Sequence, residues 1–225
     1  MPQSQVYNTD CIAFMQSLPD NYFSLAIADP PYGLDPSASG SWSDKTALGN
    51  RIWAKAKIGE TWDKAPDQLF FDELLRVSQN TIIWGGNYFN LPPARCVVCW
   101  DKVQPWDNFS QIELAWTTFA KPAKLFRYDN RAGEKKIHPC QKPVDLYAWL
   151  INTFAKQGDT IFDPMMGSQS SRIAAYKLGF DYTGCELDQD YFSQGNARFD
   201  RECHGIRTIN NKTFKQTSLF EDYTK

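Results

Sequence analysis

Short apolar runs alternate along the chain with segments in which apolar residues recur three and four positions apart. Runs typical of buried strands lie at 23–28, 81–84, 95–100, 112–117, 160–162 and 182–185. The helical spacing predicts a helix opening at Pro66, two over about 143–157 and 169–178, and one from about 190. Gly158 is the expected C-cap of the helix over about 143–157. This alternation predicts an α/β protein with a mostly parallel sheet and helices on both faces.

Two polar stretches, 34–62 and 118–137, interrupt the alternation and predict long loops or inserts. No internal repeat or linker composition divides the remainder, so we expect one domain over residues 1–209. Residues 210–225 are polar and predict an extended C-terminal tail.

Composition narrows the class of protein. The 225 residues are 42% apolar, enough for a sizeable core, and the net charge of -2 argues against a generally basic nucleic-acid coat. No apolar run approaches the roughly 20 residues of a membrane span, and Met1–Ser4 lacks a signal-peptide pattern. The six cysteines are scattered, and Cys96 and Cys99 have no second ligand pair. We therefore expect a soluble, cytoplasmic protein with reduced thiols and no metal site.

One strand end has the features of a nucleoside-cofactor site. The run 160–162 leads into Asp163 and then the small-residue turn Gly167-Ser168, and Glu186 closes the next strand 23 residues after Asp163. Ligands of parallel sheets bind at the carboxyl ends of strands, where an acid at this distance can hold ribose hydroxyls. The alternative is a turn that uses glycine for its geometry alone.

A second strand ends at Asp29-Pro30-Pro31-Tyr32. The Asp29 carboxylate and carbonyls held by two prolines without N–H groups form a site rich in acceptors, beside the aromatic face of Tyr32. Such a site suits a substrate that carries an amino group on a planar ring. The alternative is a strand terminator with a solvated aspartate and a packed tyrosine.

Four ordered motifs resemble those of the amino-group DNA methyltransferases, in the branch whose catalytic motif precedes the cofactor motif. The matches are Asn8–Cys11 (the segment near the cofactor adenine), Asp29–Tyr32 (D-P-P-Y), His138–Pro143 (H-P-x-x-K-P) and Asp163–Ser171 (D-P-F-x-G-S-G-T-T). Their order and spacing agree over roughly residues 7–200.

The resemblance implies a Rossmann-like methyltransferase fold with S-adenosyl-L-methionine as methyl donor. It implies a catalytic set of Asp29, Pro30 and Tyr32, in which the carboxylate and the Pro30 carbonyl accept the N–H groups of an exocyclic amine. Tyr32 would stack on a base flipped out of the duplex. The implied cofactor-binding residues are Asp10, Asp29, His138, Lys142, Asp163, Gly167, Ser168 and Glu186. His138 and Lys142 could instead belong to a turn and a solvated first helical turn.

Four positions depart from the cofactor motif: Met165 replaces phenylalanine, Gln169 replaces glycine, and Ser170 and Ser171 replace two threonines. We expect Gln169 to add bulk where the backbone approaches the methionine part of the cofactor. This departure leaves a weakly active DNA-binding or clamp-associated module as an alternative function.

Adenine N6 is the expected target, because cytosine-N4 members of the family usually carry serine where this chain has Asp29. Cytosine-N4 methylation is the alternative. Related enzymes that methylate RNA or protein glutamine usually carry N-P-P-Y and place the cofactor motif first, so both Asp29 and the motif order argue against them.

Partner contacts are expected at two segments. Residues 121–142 hold seven basic against two acidic residues, a local charge of +5 suited to the phosphates of double-stranded DNA or to a solvated surface. The predicted DNA contacts are Lys121, Lys124, Arg127, Arg131, Lys135 and Lys136, with the 34–62 insert as a further contact or lid. Gln216–Phe220 resembles the pentapeptide that docks on bacterial sliding clamps, or could pack back on the domain. The sequence leaves a homodimer open.

Overall fold

A computed structural model describes residues 1–34, 64–104, 110–129, 136–138, 140–209 and 212–215. Within these residues, eight strands form one sheet and two form a hairpin. The sheet strands are β1 (Ser4–Asn8), β2 (Phe23–Ala28), β3 (Ser78–Trp84), β4 (Val97–Asp101), β5 (Ile112–Thr117), β6 (Lys124–Arg127), β7 (Thr160–Asp163) and β8 (Asp181–Glu186). The hairpin strands are β9 (Ile206–Ile209) and β10 (Lys212–Lys215).

The strand order is β1-β8-β7-β2-β3-β5-β4-β6. The first five strands in this order are mutually parallel, β5 is antiparallel to both β3 and β4, and β6 is parallel to β4. The carboxyl ends of β1, β2, β3, β7 and β8 therefore meet at one edge, which we call the carboxyl edge. Because β5 runs the other way, its first residues reach the same edge.

Helices cover both faces of the sheet. They are α1 (Cys11–Gln16), α2 (Gln68–Val77), α3 (Val144–Phe154), α4 (Ser170–Leu178) and α5 (Gln189–Cys203), with a 3₁₀ turn at Gly86–Tyr88. Buried residues of α1 and α2 pack in one apolar cluster, and those of α3, α4 and α5 pack in a second cluster on the other face. The predicted α/β fold is confirmed.

Burial on both faces of the sheet explains why the central strand β2 is almost entirely apolar. In β2 the side chains of Leu25, Ala26, Ile27 and Ala28 are all buried, because helices cover both of its faces. The apolar run stops at Asp29, which therefore emerges from the core at the carboxyl edge.

Several predicted boundaries were wrong. Asp67 is the N-cap of α2 and its carboxylate accepts from the Phe70 N–H at 3.3 Å, so the helix starts after Pro66. Helix α3 ends at Phe154, and the N–H of Ala155 donates to the Ile151 carbonyl, so Gly158 is not its C-cap. Strands β1, β6, β9 and β10 and helix α1 were not predicted.

Two predicted segments cannot be compared with the structure. The insert at 34–62, apart from Leu34, and the clamp-binding peptide at 216–220 lie outside the described residues. In the described part of the chain, no helix is long and apolar enough to cross a membrane, and no group of side chains is arranged to hold a metal ion.

Candidate active site

Asp29 lies immediately after β2, with its side chain 16% exposed. Its Oδ1 accepts hydrogen bonds from the Lys142 ammonium and from the Tyr32 hydroxyl, the latter at 3.1 Å. Pro30 is buried beside it. The sequence motifs at 29–32 and 138–143 therefore meet, although they are more than one hundred residues apart.

Lys142 is a buried cation shared by two carboxylates. Its Nζ lies 3.2 Å from Glu113 Oε2 in addition to its bond with Asp29, and 3.2 Å from the Tyr32 hydroxyl oxygen. It also faces the Trp84 ring, with Nζ 5.3 Å from the centroid. Only 6% of the Lys142 side chain is exposed, so the alternative of a solvated first-turn lysine was wrong.

Sequence reasoning missed Glu113. This residue is on β5, where its Oε1 lies 2.5 Å from Lys102 Nζ and its Oε2 faces Lys142. A lone acid in the apolar run Ile112–Thr117 was the available signal. Lys102, Glu113, Lys142 and Asp29 thus form a continuous chain of alternating charges at the carboxyl edge, which we call the charge chain.

Opposing forces set the ionisation of these groups. Burial raises the pKa of Asp29, Lys142 counteracts the rise, and Glu113 adds to it. Burial also disfavours the charged forms of Glu113 and Lys142. Their oppositely charged neighbours outweigh burial, so the pKa of Glu113 is lowered and that of Lys142 is raised. Burial, together with Asp29, raises the pKa of Tyr32, which stays a neutral phenol.

The turn after β7 forms the second half of the site. The Gly167 N–H donates to Glu186 Oε2 at 2.9 Å, and the Asp188 N–H donates to Glu186 Oε1 at 2.9 Å. Gly167 has φ +45°, and a Cβ built there would be no nearer than 3.9 Å to the His138 ring, so the turn is open on that side. Glu186 therefore fixes the turn from the neighbouring strand.

Asp163, the last residue of β7, fixes this turn through two hydrogen bonds. Its Oδ1 accepts from the Met165 N–H at 3.0 Å and its Oδ2 from the Ser171 hydroxyl at 2.5 Å. Burial raises the pKa of Asp163 to about 7, although these two hydrogen bonds oppose the rise. A nearby positive charge on a bound molecule would favour its carboxylate form.

His138 lies across the turn. Its ring packs edge-on against that of Tyr191, with the ring centroids 4.4 Å apart. Its Nδ1 accepts a hydrogen bond from the Cys140 N–H at 3.2 Å. Burial, with the Lys142 charge as a second cause, lowers the pKa of His138 to about 4. The imidazole is therefore neutral at physiological pH.

Contrary to expectation, the Gln169 side chain does not crowd the turn. Its side chain is fully buried between α4 and α5, where Nε2 donates to Asn196 Oδ1 at 3.2 Å and Oε1 accepts from Arg172 at 2.8 Å. Gly195 makes room for it, because a Cβ at Gly195 would be 2.6 Å from the Gln169 amide nitrogen. The extra bulk is directed into the helix interface, although Gln169 itself adopts φ +61°.

Asp10 and Ser168 have structural roles at this edge. Asp10 is exposed and caps α1, since its carboxylate accepts from the Ala13 N–H at 2.8 Å. It is close to Glu186, because the N–H of the preceding Thr9 donates to the Glu186 carbonyl at 3.1 Å. Ser168 is buried, with its hydroxyl 3.2 Å from that of Ser170.

Of the predicted DNA-contacting residues, Lys124 and Arg127 are on β6. Arg127, whose side chain is 71% exposed, is at the carboxyl edge, 3.3 Å from Asp101. Lys124 begins the strand, and Lys121 precedes it with its ammonium over the rings of Phe119 and Phe154. Lys136 leads into His138. Arg131 and Lys135 lie outside the described residues.

A cavity of about 200 Å³ opens beside Tyr32. It is bordered by Tyr32, Tyr88, Glu113 and Gly85, among other residues. Tyr88, which is 47% exposed, stacks on Tyr32 with ring centroids 5.1 Å apart. The cavity thus joins an aromatic surface, which contacts Asp29 through Tyr32, to the half-buried carboxylate of Glu113.

Comparison with known proteins identifies the family. The family model N6_N4_Mtase, described as DNA methylase, matches residues 50–197. The chain belongs to this family of DNA methylases. The match begins after Asp29–Tyr32, so the D-P-P-Y segment is not part of it.

One curated relative of this DNA methylase is the Type II methyltransferase M2.MboI of Moraxella bovis, 26% identical over 94% of this chain and 91% of the relative. A Thermus thermophilus DNA modification methylase, TTHA0409, solved with S-adenosyl-L-methionine, is 17% identical with a TM-score of 0.56 over 91% of this chain and 96% of that one. The cytosine-N4-specific PvuII DNA methyltransferase is 14% identical with a TM-score of 0.61 over 94% and 96%.

These structural likenesses confirm the S-adenosylmethionine-dependent methyltransferase fold. Membership of the family confirms a DNA methyltransferase that uses S-adenosyl-L-methionine. The open turn at Gly167 and the carboxylates of Asp163 and Glu186 fit this cofactor, since hydroxyls and a sulfonium charge both suit acidic acceptors.

Proposed function

We propose that this DNA methylase transfers the methyl group to the N6 amine of an adenine in double-stranded DNA. The observation that carries the proposal is the position of Asp29. It immediately follows β2 at the carboxyl edge, and β2 pairs directly with β7, whose end leads into the turn around Gly167, which we call the cofactor turn. This position supports the proposal, because it would bring an acceptor for the target amine beside a cofactor bound at that turn.

The bound cofactor supplies an electrophilic methyl group on its sulfonium. The residues of this chain that would hold it are Glu186 and the Gly167 turn at the nucleoside, with Asp10 near the adenine, and Asp163 and His138 nearby. Ser168 would act through the backbone of the turn, because its hydroxyl is already bonded to that of Ser170. Lys142 is held by the charge chain, from which it could reach a cofactor carboxylate.

Asp29 and Pro30 would act on the target amine. The exocyclic nitrogen of adenine is a poor nucleophile because its lone pair is delocalised into the ring. Hydrogen bonds from its two N–H groups to the Asp29 carboxylate and the Pro30 carbonyl would localise that lone pair, and the carboxylate would stabilise the positive charge that grows on nitrogen.

The target base must leave the duplex to reach Asp29. The cavity beside Tyr32 supports such an arrangement, since Tyr32 and Tyr88 offer adjoining aromatic surfaces for stacking. Adenine is preferred over cytosine because Asp29 stands where cytosine-N4 enzymes of the family usually have serine.

The test is to incubate the protein with labelled S-adenosyl-L-methionine and unmethylated DNA, RNA or protein in parallel. We expect label in double-stranded DNA, and N6-methyladenine in its nucleoside digest by mass spectrometry. N4-methylcytosine would show the alternative base to be the target, and label confined to RNA or protein would overturn the proposal. Sequencing the modified DNA would give the recognition site.

We propose that the basic residues of segment 121–142 contact phosphates, among them Arg127 at the carboxyl edge and Lys136, two residues before His138. Replacing both by alanine should weaken DNA binding and reduce the slope of log K against log salt by about 1.8, because each lost phosphate contact contributes roughly 0.9. Fluorescence anisotropy at several salt concentrations measures this slope. Lys177→Ala removes a half-exposed lysine on α4 and serves as control. Equal slopes for all three proteins would rule out phosphate contacts at these two residues.

Lys121, Lys124, Arg131 and Lys135 remain proposed contacts of the same segment, although Lys121 packs on two phenylalanine rings. Clamp binding through Gln216–Phe220 and a homodimer also remain proposals, and the first depends on the sequence resemblance alone.

A further inference from the structure

Two carboxylates from different strands compete for one buried ammonium. Asp29 follows β2 and Glu113 belongs to β5, and both face Lys142 Nζ. Glu113 Oε2 is buried and has no hydrogen bond of good geometry, although the ammonium is 3.2 Å away. Its attraction to Lys142 is therefore an ion pair that leaves the stronger, hydrogen-bonded contact to Asp29.

Lys102 fixes Glu113 in this position. It follows β4, whose Trp100 is opposite Glu113 in the antiparallel ladder, and its ammonium lies 2.5 Å from Glu113 Oε1. Only 12% of the Lys102 side chain is exposed. The charge chain is thus balanced, with two cations and two carboxylates.

We infer that Glu113 is a positioning residue that shares the Lys142 ammonium with Asp29, leaving Asp29 charge-compensated yet able to accept a hydrogen bond from the target amine. The inference rests on the proposed role of Asp29. Lys142 bonds to Oδ1 of Asp29, and an ammonium shared with no second acid would neutralise more of the carboxylate charge and weaken it as an acceptor. A carboxylate with no cation near it would be driven toward protonation in this buried place, and the neutral acid would be a weaker acceptor without the charge that stabilises the reacting amine.

Other titratable groups lie around the charge chain and interact with it electrostatically. Tyr32 donates to Asp29, and Tyr147 of α3 and Asp163 of β7 lie close enough to influence the pKa values of the cluster. His138 is neutral, and Cys140 is near Tyr32. Among the described residues, Glu113 is the carboxylate that shares Lys142 with Asp29, and the Tyr32 hydroxyl contacts both Lys142 and Asp29.

The experiment is the pH profile of kcat at saturating DNA and cofactor. Because Asp29 must be ionised, kcat falls as pH drops through its pKa in the complex. The negative charge of Glu113 raises that pKa, so Glu113→Gln should move the acidic limb to lower pH. It should also reduce the plateau kcat by about tenfold, since Lys142 then binds Asp29 alone. Glu113→Asp keeps the charge and should restore the limb to its wild-type position.

Lys102→Gln provides a second variant that does not alter either carboxylate. It releases Glu113 to bind Lys142 more closely and removes a positive charge, so the acidic limb should move to higher pH, opposite to Glu113→Gln. Glu73→Gln, a carboxylate in an ion pair with Arg76 on α2, is the control and should leave the profile unchanged.

The outcomes separate the two proposals. Opposite shifts in the two variants support the inference, because a purely structural role of Glu113 would lower activity without moving the limb in either direction. Superimposable limbs for wild type, Glu113→Gln and Lys102→Gln would overturn it, as would a Glu113→Gln plateau equal to that of wild type. Failure of the wild-type protein to methylate DNA would instead reject the proposed function.

Discussion

Replacing Asp29 with alanine is expected to abolish methyl transfer to DNA while cofactor binding is largely retained. Asp29 would supply the acceptor and the negative charge that the amine needs in the transition state, and loss of one such group costs about 10²–10³-fold or more in kcat. The cofactor turn is built by Gly167, Glu186 and Asp163, none of which hydrogen-bonds to Asp29. Single-turnover methylation of labelled DNA and calorimetric titration of cofactor measure the two effects.

Asp29→Asn provides the isosteric version of this test. Alanine leaves Lys142 with Glu113 as its remaining carboxylate partner, and the resulting imbalance could reduce stability. Asparagine keeps the volume and one oxygen but loses the charge, so methylation should again fall by about 10²-fold or more. Asp72→Asn changes an exposed carboxylate of α2 in the same way and should be as active as wild type. Methylation by Asp29→Ala within about tenfold of wild type would rule out this catalytic role.

Much of the site was predictable because it is encoded locally. A short apolar run ends in an acid at Asp29, at Asp163 and at Glu186, and each run became a strand of the parallel part of the sheet. Parallel strands deliver their carboxyl ends to one edge, so motifs far apart in sequence converge without any knowledge of side-chain contacts.

The role of Glu113 could not be predicted in this way. Its strand β5 is antiparallel to its neighbours, which brings the beginning of the strand, rather than its end, to the carboxyl edge. Periodicity does not report strand direction. The pairing of Lys142 with two acids likewise depends on how β3 pairs with β2 and with β5, which the sequence alone does not define.

The missed strands have a related explanation. β1 and β6 are the two edges of the sheet, so each has one neighbour and several exposed side chains, and their sequences are correspondingly polar. A four-residue strand within a basic segment gives too short a pattern to distinguish from a loop. Side-chain packing is also not predictable from such patterns. Only the structure shows that the absence of a side chain at Gly195 makes room for Gln169.

Replacing Glu186 with alanine is expected to weaken cofactor binding by about 100-fold, since two hydrogen bonds that fix the turn and the proposed acceptor for ribose hydroxyls are lost together. The Gly167 and Asp188 N–H groups both donate to this carboxylate. Its removal therefore loosens the turn, in addition to removing any direct contact with the cofactor. Calorimetric titration with S-adenosyl-L-methionine measures the dissociation constant. The methylation rate should recover substantially when the cofactor concentration is raised, because Asp29 and the charge chain are unchanged.

The control for Glu186 is Asp190→Ala, which removes an exposed carboxylate from the first turn of α5, four residues away. It should bind the cofactor as wild type does, although it loses a favourable helix-terminus charge worth about 0.3–1 kcal/mol of stability. Glu186→Gln separates the two functions of the side chain. Its amide oxygen can still accept one of the two N–H bonds, so it should bind more tightly than Glu186→Ala and more weakly than wild type. Equal dissociation constants for Glu186→Ala and wild type would mean that the cofactor is held elsewhere than at the β7–β8 end of the carboxyl edge.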